Sequence, residues 1–297
     1  MIEAHVSSQA NQGVPSMKLL TRMARSFVAG ETAEEALKQV HKLRDKGIMV
    51  TLDILGESVT DRAQADKAVR DYLDLLDTLK KNKSDSHISL KLTQMGLDID
   101  DEYCYRNMVK IAARAAAARR FVRIDMEGSA LTQRTLDIFT RLRKKYDNVG
   151  IVVQAYLHRT EKDVADILKA KGTIRLCKGA YKEPAEVAIK KMKDIRESFI
   201  KLAKTLFAAK SYAAIATHDS KLIDWTKRYV EENNIPREAF EFQMLYGLRN
   251  KTQQKLAADG WRVRAYVPFG THWIPYFSRR LRERKENVFV VMKNMFR

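Results

Sequence analysis

Cysteine is nearly missing from this chain of 297 residues: there are two, Cys104 and Cys177, far apart and in no metal-ligand spacing. That excludes a disulfide framework and points to a reducing compartment. Proline and glycine are also scarce, with 5 and 12 copies, which argues against long irregular loops and for an ordered, helix-rich protein. Disorder is expected only in the opening MIEAHVSSQANQG. No apolar run approaches the roughly 18 to 20 residues that span a bilayer, and the first residues lack a signal-peptide core, so a cytoplasmic protein is expected. The six histidines show no HxxxH or HxxE pattern, and no catalytic metal is expected. Acidic residues are outnumbered, 37 against 55 Lys and Arg, for a formal charge of +18. Such a balance favours adsorption to nucleic acid or to an anionic membrane. The basic residues spread over many helical segments without interleaved aromatics or a nucleic-acid module, so no nucleic-acid partner is expected.

What is present is a repeat of periods. Short apolar, β-branched runs recur every 30 to 40 residues or so: GIMVTLDIL, HISLKL, FVRIDM, VGIVVQAY, TIRLCKG, YAAIAT, FEFQML and VRAYV. Helical spacing fills the gaps, over about 58–82, 102–118, 129–146, 161–171, 184–209, 219–234, 250–260 and 273–284. Thr160 with Asp163, and Asp219 with Ser220, read as helix starts. Eight such units predict an α/β fold, a TIM-like (β/α)8 barrel. A doubly wound open sheet is the alternative, weakened because no GxGxxG turn follows the first strand, where the sequence is TLDILGES. Residues 16–46 read as two extra helices before the first strand. No domain boundary is visible, so a tail and helices over 1–46 are expected to pack on a single catalytic barrel over 47–297.

In such a barrel, chemistry belongs at the C-terminal strand ends. Those ends carry Asp53 with Glu57, Lys91, Asp125 with Glu127, Gln154, Arg175 with Lys178, Thr217 with His218, Gln243, and Tyr266. Each one alone is compatible with a satisfied structural ion pair; eight consecutive strands ending this way point to a site. In RLCKGAY, two cations and the flexible Gly179 suit an anionic or electron-rich cofactor, while Cys177 reads as packing. Near the C-terminus, Tyr276, Arg279, Arg280 and Glu283 sit at helical spacing. Two adjacent guanidiniums there suit the grip of a small carboxylate ligand, although an Arg pair on a terminal helix also fits a solvated face.

Five segments, TLDILGE, SLKL, VVQAY, RLCKGAYKE and Tyr266 through Glu283, resemble the proline dehydrogenase family in that family's order, over roughly residues 47–290. The length is similar to the bacterial monofunctional members. The resemblance implies a distorted (β/α)8 barrel that binds FAD and oxidises L-proline to 1-pyrroline-5-carboxylate by hydride transfer to flavin N5. Electrons would pass to a quinone, as the first step of proline catabolism to glutamate. Carried over residue by residue, it implies that Arg279, Arg280 and Lys91 bind the proline carboxylate. Tyr266, Tyr276 and Leu245 would wall in the ring, Glu283 would orient Arg280, and Glu57 would pair with Arg279. Gln154, Arg175, Lys178, Gly179, Ala180, Thr217 and His218 match flavin contacts, with Arg175 near the electron-accepting part of the ring. Asp125 and Glu127 match the family's acidic strand end, the first as a catalytic group and the second on the cofactor side. Tyr266 would crowd a 4-hydroxyl group and so favour proline. Cys177 and Lys182 depart from the family's commoner residues, and the Pro268–Pro275 loop is shorter than in bifunctional members.

The segment from Ser16 to Ala29 has Leu19, Leu20, Met23 and Phe27 on one side and Lys18, Arg22 and Arg25 on the other. It fits a helix docked on the barrel, and also an interfacial helix that would bring the protein to the inner face of an anionic membrane, where a quinone resides. Two competing functions remain open at this point. One is a dehydrogenase for hydroxyproline or another cyclic imino acid; the other is a non-catalytic basic binding protein, for which charge is the sole support.

Overall fold

A computed structural model describes residues 27–273. The first described helix, α1 (Ala33–Arg44), starts in a reciprocal cap: Thr32 Oγ1 accepts from the Glu35 amide at 3.2 Å, and the Glu35 carboxylate accepts from the Thr32 amide at 3.4 Å. It lays Ala36, Leu37 and Val40 against the barrel ahead of β1 (Met49–Ile54).

Strands and helices then alternate. They run α2 (Arg62–Lys81), β2 (His87–Leu90), α3 (Asp101–Ala117), β3 (Val122–Ile124), α4 (Thr132–Arg143), β4 (Val149–Gln154), α5 (Thr160–Lys169) and β5 (Ile174–Cys177). After these come α6 (Met192–Ala208), β6 (Ala213–Ala216), α7 (Ser220–Glu232), β7 (Phe240–Leu245), α8 (Asn250–Ala258) and β8 (Val263–Phe269). All strand pairs are parallel and follow chain order. The ring closes where β1 pairs with β8 from Met49↔Arg264 to Ile54↔Phe269. This is the (β/α)8 barrel that the periodicity predicts; the closure excludes the open sheet.

Strand residues divide by parity. Leu52, Ile88, Leu90, Ile124, Ile151, Val153, Leu176, Ile215 and Phe242 face outward into one apolar core shared with the helices. The other parity fills the inside of the barrel with Thr51, Asp53, Ser89, Lys91, Arg123, Arg175, Glu241, Gln243 and Arg264, all buried. Polar groups in such a place must be paired, and they are. At the lower end, Arg264 grips Glu241 with Nε–Oε1 at 2.8 Å and Nη2–Oε2 at 3.0 Å, and Tyr212 donates to the same carboxylate at 2.8 Å. Burial opposes the Glu241 charge, but Arg264 outweighs it and holds the carboxyl at about 2. Arg123 donates to the Ile151 and Thr173 carbonyls, and burial beside Arg175 and Arg264 lowers it to about 9.

One helix expectation changes. The helix expected from 184 begins at Met192. Amides and carbonyls of the preceding loop are instead bonded to the β4–α5 connection, His158 N to Val187 O at 3.0 Å and Ile189 N to Tyr156 O at 2.7 Å. α5 does begin at Thr160, as read, although the Thr160 hydroxyl donates to the Gln154 carbonyl at 2.6 Å and does not cap the helix. Of the two helices expected over 16–46, α1 accounts for the second. Residues 16–26 and all but the first residue of the helix expected over 273–284 lie outside the described residues, as does most of the amphipathic segment ending at Ala29.

Candidate active site

Six strands contribute to one connected polar cluster at the barrel mouth. Asp125, just past β3, is its hub. Its Oδ1 accepts from Arg175 Nη1 at 2.8 Å; its Oδ2 accepts from the Tyr266 hydroxyl at 2.8 Å and lies 3.6 Å from Lys91 Nζ. The Arg175 guanidinium also donates from Nε to Gln243 Oε1 at 2.5 Å and from Nη2 to Ser89 Oγ at 2.9 Å. It lies 5.3 Å from the centre of the Tyr266 ring. These bonds use three of the five guanidinium hydrogens and leave one on each Nη for a ligand.

Lys91 is held differently. Its ammonium reaches the two oxygens of Asp53 at 3.3 and 3.4 Å and the Tyr266 hydroxyl at 3.4 Å. Each contact is longer than the 2.7–2.9 Å typical of a charge-assisted bond, so the cation is shared among partners and remains available to a stronger acceptor. Burial opposes its charge, yet Asp53 and Asp125 more than compensate and hold it above the usual lysine range. Asp53 is fully buried, and burial pushes it up to about 6 although Lys91 pulls the other way. Tyr72 from α2 supports the cluster from behind, donating to the Ser89 carbonyl at 2.8 Å and accepting the Ile54 amide at 3.1 Å.

A second group lies where β4, β5 and β6 end. Gly179 has φ of +128°, and a Cβ there would stand 2.3 Å from Tyr156 Cδ1, so the turn requires glycine. The Gln154 side chain ties this turn down, accepting the Ala180 amide at 3.2 Å and donating to the Glu127 carbonyl at 3.0 Å. Lys178 Nζ meets Asp219 Oδ2 at 3.0 Å, and Arg196 Nε reaches the same oxygen at 2.7 Å. Burial would raise Asp219, but the two cations overcome it and lower the carboxyl below its ordinary value. His218 Nε2 accepts the Leu245 amide at 3.0 Å, which places the imidazole hydrogen on Nδ1. Thr217 is buried, its amide donating to the Gln243 carbonyl at 3.1 Å. Two cations on one carboxylate, spare guanidinium hydrogens and a glycine turn make this rim suited to an anionic, oxygen-rich cofactor.

The remaining candidates are placed as follows. Glu127 turns its carboxylate to Thr93, accepting the amide at 3.1 Å and the hydroxyl at 2.7 Å, so it braces the β2–α3 loop. Leu245 pairs in register with Tyr266 across β7 and β8. Glu57 lies beyond the end of β1, where it and Lys91 line a cavity of about 730 Å³ that is also bounded by Ile54, Gly56, Gln94 and Phe269. Tyr276, Arg279, Arg280 and Glu283 lie outside the described residues. Cys177, expected as packing on a buried strand, does pack against the core, with part of its surface exposed. Among the described residues, no group of three or more His, Cys, Asp or Glu could hold a metal, and no helix is long and apolar enough to cross a membrane.

Four side-chain acceptors in these clusters carry no role in the sequence. Asp53 and Gln243 were visible as polar strand ends; Ser89 has the same inward parity two residues before Lys91, a signal that could have found it. Asp219 was visible as a helix start, and its second role depends on Lys178 and Arg196, which nothing local announces.

Comparison with known proteins agrees with the barrel. A family model described as proline dehydrogenase matches residues 36–292. The chain is 40% identical over 285 residues to proline dehydrogenase 2 of Bacillus subtilis, covering 93% of this chain and 94% of that protein. It is 36% identical over 280 residues to proline dehydrogenase of Deinococcus radiodurans, covering 93% and 90%. Among solved structures, proline utilization A from Bdellovibrio bacteriovorus, inactivated by N-propargylglycine, superposes with a TM-score of 0.83 at 29% identity. That match covers 88% of this chain and 32% of the larger protein. With a family model spanning most of its length and relatives similar from end to end, the chain belongs to the proline dehydrogenase family.

Proposed function

We propose that this chain oxidises L-proline to 1-pyrroline-5-carboxylate at the mouth of the barrel, with FAD as its cofactor and a quinone as the final electron acceptor. The observation that carries this reading is the shared, incompletely satisfied ammonium of Lys91, set between Asp53, Asp125 and Tyr266 beside the guanidinium of Arg175. Proline is a small ring with a carboxylate, and such a cation gives that carboxylate a fixed partner; the family resemblance adds Arg279 and Arg280 to the grip. Holding one end of the ring orients the carbon beside nitrogen, the one that must lose hydride. Tyr266 and Leu245, adjacent in register, wall the ring, and the Tyr266 side chain crowds the place of a 4-hydroxyl group. Loss of hydride from that carbon and of a proton from nitrogen leaves the C=N bond of the product.

Gln154, Arg175, Lys178, Gly179, Ala180, Thr217 and His218 would hold the cofactor, and the donor set described above fits it. A bound flavin supplies the two-electron acceptor. Arg175, fixed by Asp125, Ser89 and Gln243, presents its guanidinium where negative charge would accumulate. Asp125 fixes Arg175 and Tyr266 together, so its part is to set the distance between substrate wall and cation. The formal charge of +18 supports peripheral contact with the anionic inner face of the membrane, where a quinone is found. A binding role without catalysis has only that charge behind it.

An anaerobic absorption spectrum with and without proline tests the reading. Purified protein is expected to be yellow, and its flavin bands to bleach on addition of proline. A colourless, proline-inert protein would end it.

A further inference from the structure

We propose that Asp53 is a positioning residue for the substrate carboxylate: it acts through Lys91, holding that ammonium charged at the mouth so that an anionic ring ligand can bind. The inference rests on the function proposed above. Asp53 is 0% exposed and directs both carboxylate oxygens at Lys91 Nζ. Lys91 lines the cavity beyond the end of β1 and Asp53 does not, so Asp53 affects a ligand through the groups it contacts, Lys91 foremost.

The surroundings explain why Asp53, and not Asp125, carries this part. Asp125 already accepts bonds of 2.8 Å from both Arg175 and Tyr266, and stands 3.6 Å from the ammonium. The titratable and charged groups facing the pair are Asp125 and Glu127 at and beyond the end of β3, Arg175 from β5, Tyr181 after β5, Tyr266 from β8 and Tyr72 from α2. Asp53 also meets Tyr266 and Tyr72, but both of its oxygens lie within hydrogen-bonding reach of Lys91, whereas Asp125 stands 3.6 Å away. Burial by itself drives a lysine toward its neutral form, and Asp53 is the largest influence opposing that here. A neutral Lys91 would no longer attract a carboxylate. Asp53 thus sets the pH range over which the mouth recognises one.

The test uses cyclopentanecarboxylate, which has the ring and carboxylate of proline without its amine and stays ionised throughout the assay. Its competitive inhibition of proline oxidation is measured on the holoenzyme and on Asp53→Asn from about pH 7 to about pH 9.5, the range in which a lysine deprived of its partner would titrate. Wild type is expected to vary by less than about twofold, and Asp53→Asn to weaken by about tenfold or more with rising pH, flavin content unchanged. A flat profile in Asp53→Asn overturns the inference, because a merely structural residue would lower stability without creating a pH slope in ligand affinity.

Should Asp53→Asn fail to fold, the double variant Asp53→Asn with Lys91→Met, which removes both charges, decides. A folded double variant with weak, pH-independent binding supports the coupling; one that also fails to fold makes Asp53 a fold residue and overturns it. A wild-type protein with neither ring-carboxylate binding nor bleaching by proline refutes the proposed function, and this inference with it. Wild type passing both while Asp53→Asn stays flat refutes this inference alone.

Discussion

Tyr266 donates its phenol hydrogen to Asp125 Oδ2 at 2.8 Å, joining the last strand of the barrel to the end of the third across the mouth. Tyr266→Phe removes that bond and keeps the ring. A hydrogen bond to a charged group contributes about 1.5–3 kcal/mol, so kcat/KM for proline is expected to fall by about tenfold, at the lower end of that range, with flavin content retained. Steady-state kinetics alongside the visible spectrum check it; unchanged kinetics would leave the tyrosine as a wall and nothing more.

Arg175 is the residue whose charge and shape can be separated. Arg175→Met strands Asp125 beside a cation it shares with Asp53, and breaking a buried pair in this way costs about 3–5 kcal/mol. Arg175→Lys keeps the charge but cannot reach Asp125, Ser89 and Gln243 together. Urea denaturation is expected to show a loss of about 3 kcal/mol for the methionine variant and about 1 kcal/mol for the lysine variant. Turnover is expected to fall in both, which would assign catalysis to the three-way fork and not to charge alone.

Asp219 caps α7, accepting the Lys221 amide at 3.2 Å, and also restrains Lys178 and Arg196. Asp219→Ser keeps a capping side chain and deletes the charge; Asp219→Ala deletes both. The alanine variant is expected to lose about 1 kcal/mol from the cap, and the serine variant less. Both are expected to release flavin more readily on gel filtration, since Lys178 is freed in each. Cofactor retention that tracks the melting temperature instead would tie Asp219 to the helix alone.

Asp53 gives a pH dependence with a definite sign. Burial raises its carboxyl from 3.8 to about 6, so the folded state binds this proton more tightly than the unfolded chain does. Its contribution to stability is therefore complete below about pH 3.8 and is lost as pH rises through about 6. Asp53→Asn imitates the protonated form. Its stability relative to wild type is expected to rise between about pH 4.5 and about pH 8, on top of a loss from leaving Lys91 without its nearest carboxylate. Denaturant titrations at the two pH values check it, and a difference that stays flat or falls over that range would contradict a carboxyl raised by burial.

The barrel was legible because parity is a one-dimensional signal. Leu52, Leu90 and Ile124 face the helices while Asp53, Lys91 and Arg123 alternate with them, and a reader of the chain sees both sets at once. The partners of those inward groups were not legible. Arg175 meets Ser89 from 86 positions away because the stagger of a closed barrel decides which tips stand opposite, and stagger leaves no mark on any single strand. The start of α6 is hidden from the sequence for a related reason. Helical spacing continues through 184–191, but the amide of Ile189 and the carbonyl of Val187 are committed to Tyr156 and His158, a tertiary choice that local periodicity does not contain.

The mouth cluster also bears on how such a scaffold diversifies. Lys91, Asp125, Tyr266 and Arg175 each answer to more than one neighbour, so a lone exchange at any strand tip leaves a buried charge stranded elsewhere on the ring. Laboratory evolution toward new substrates is then expected to succeed through compensating doublets, such as changes at Asp53 and Lys91 together, or through the loops above the ring, where no counter-charge has to be rehoused.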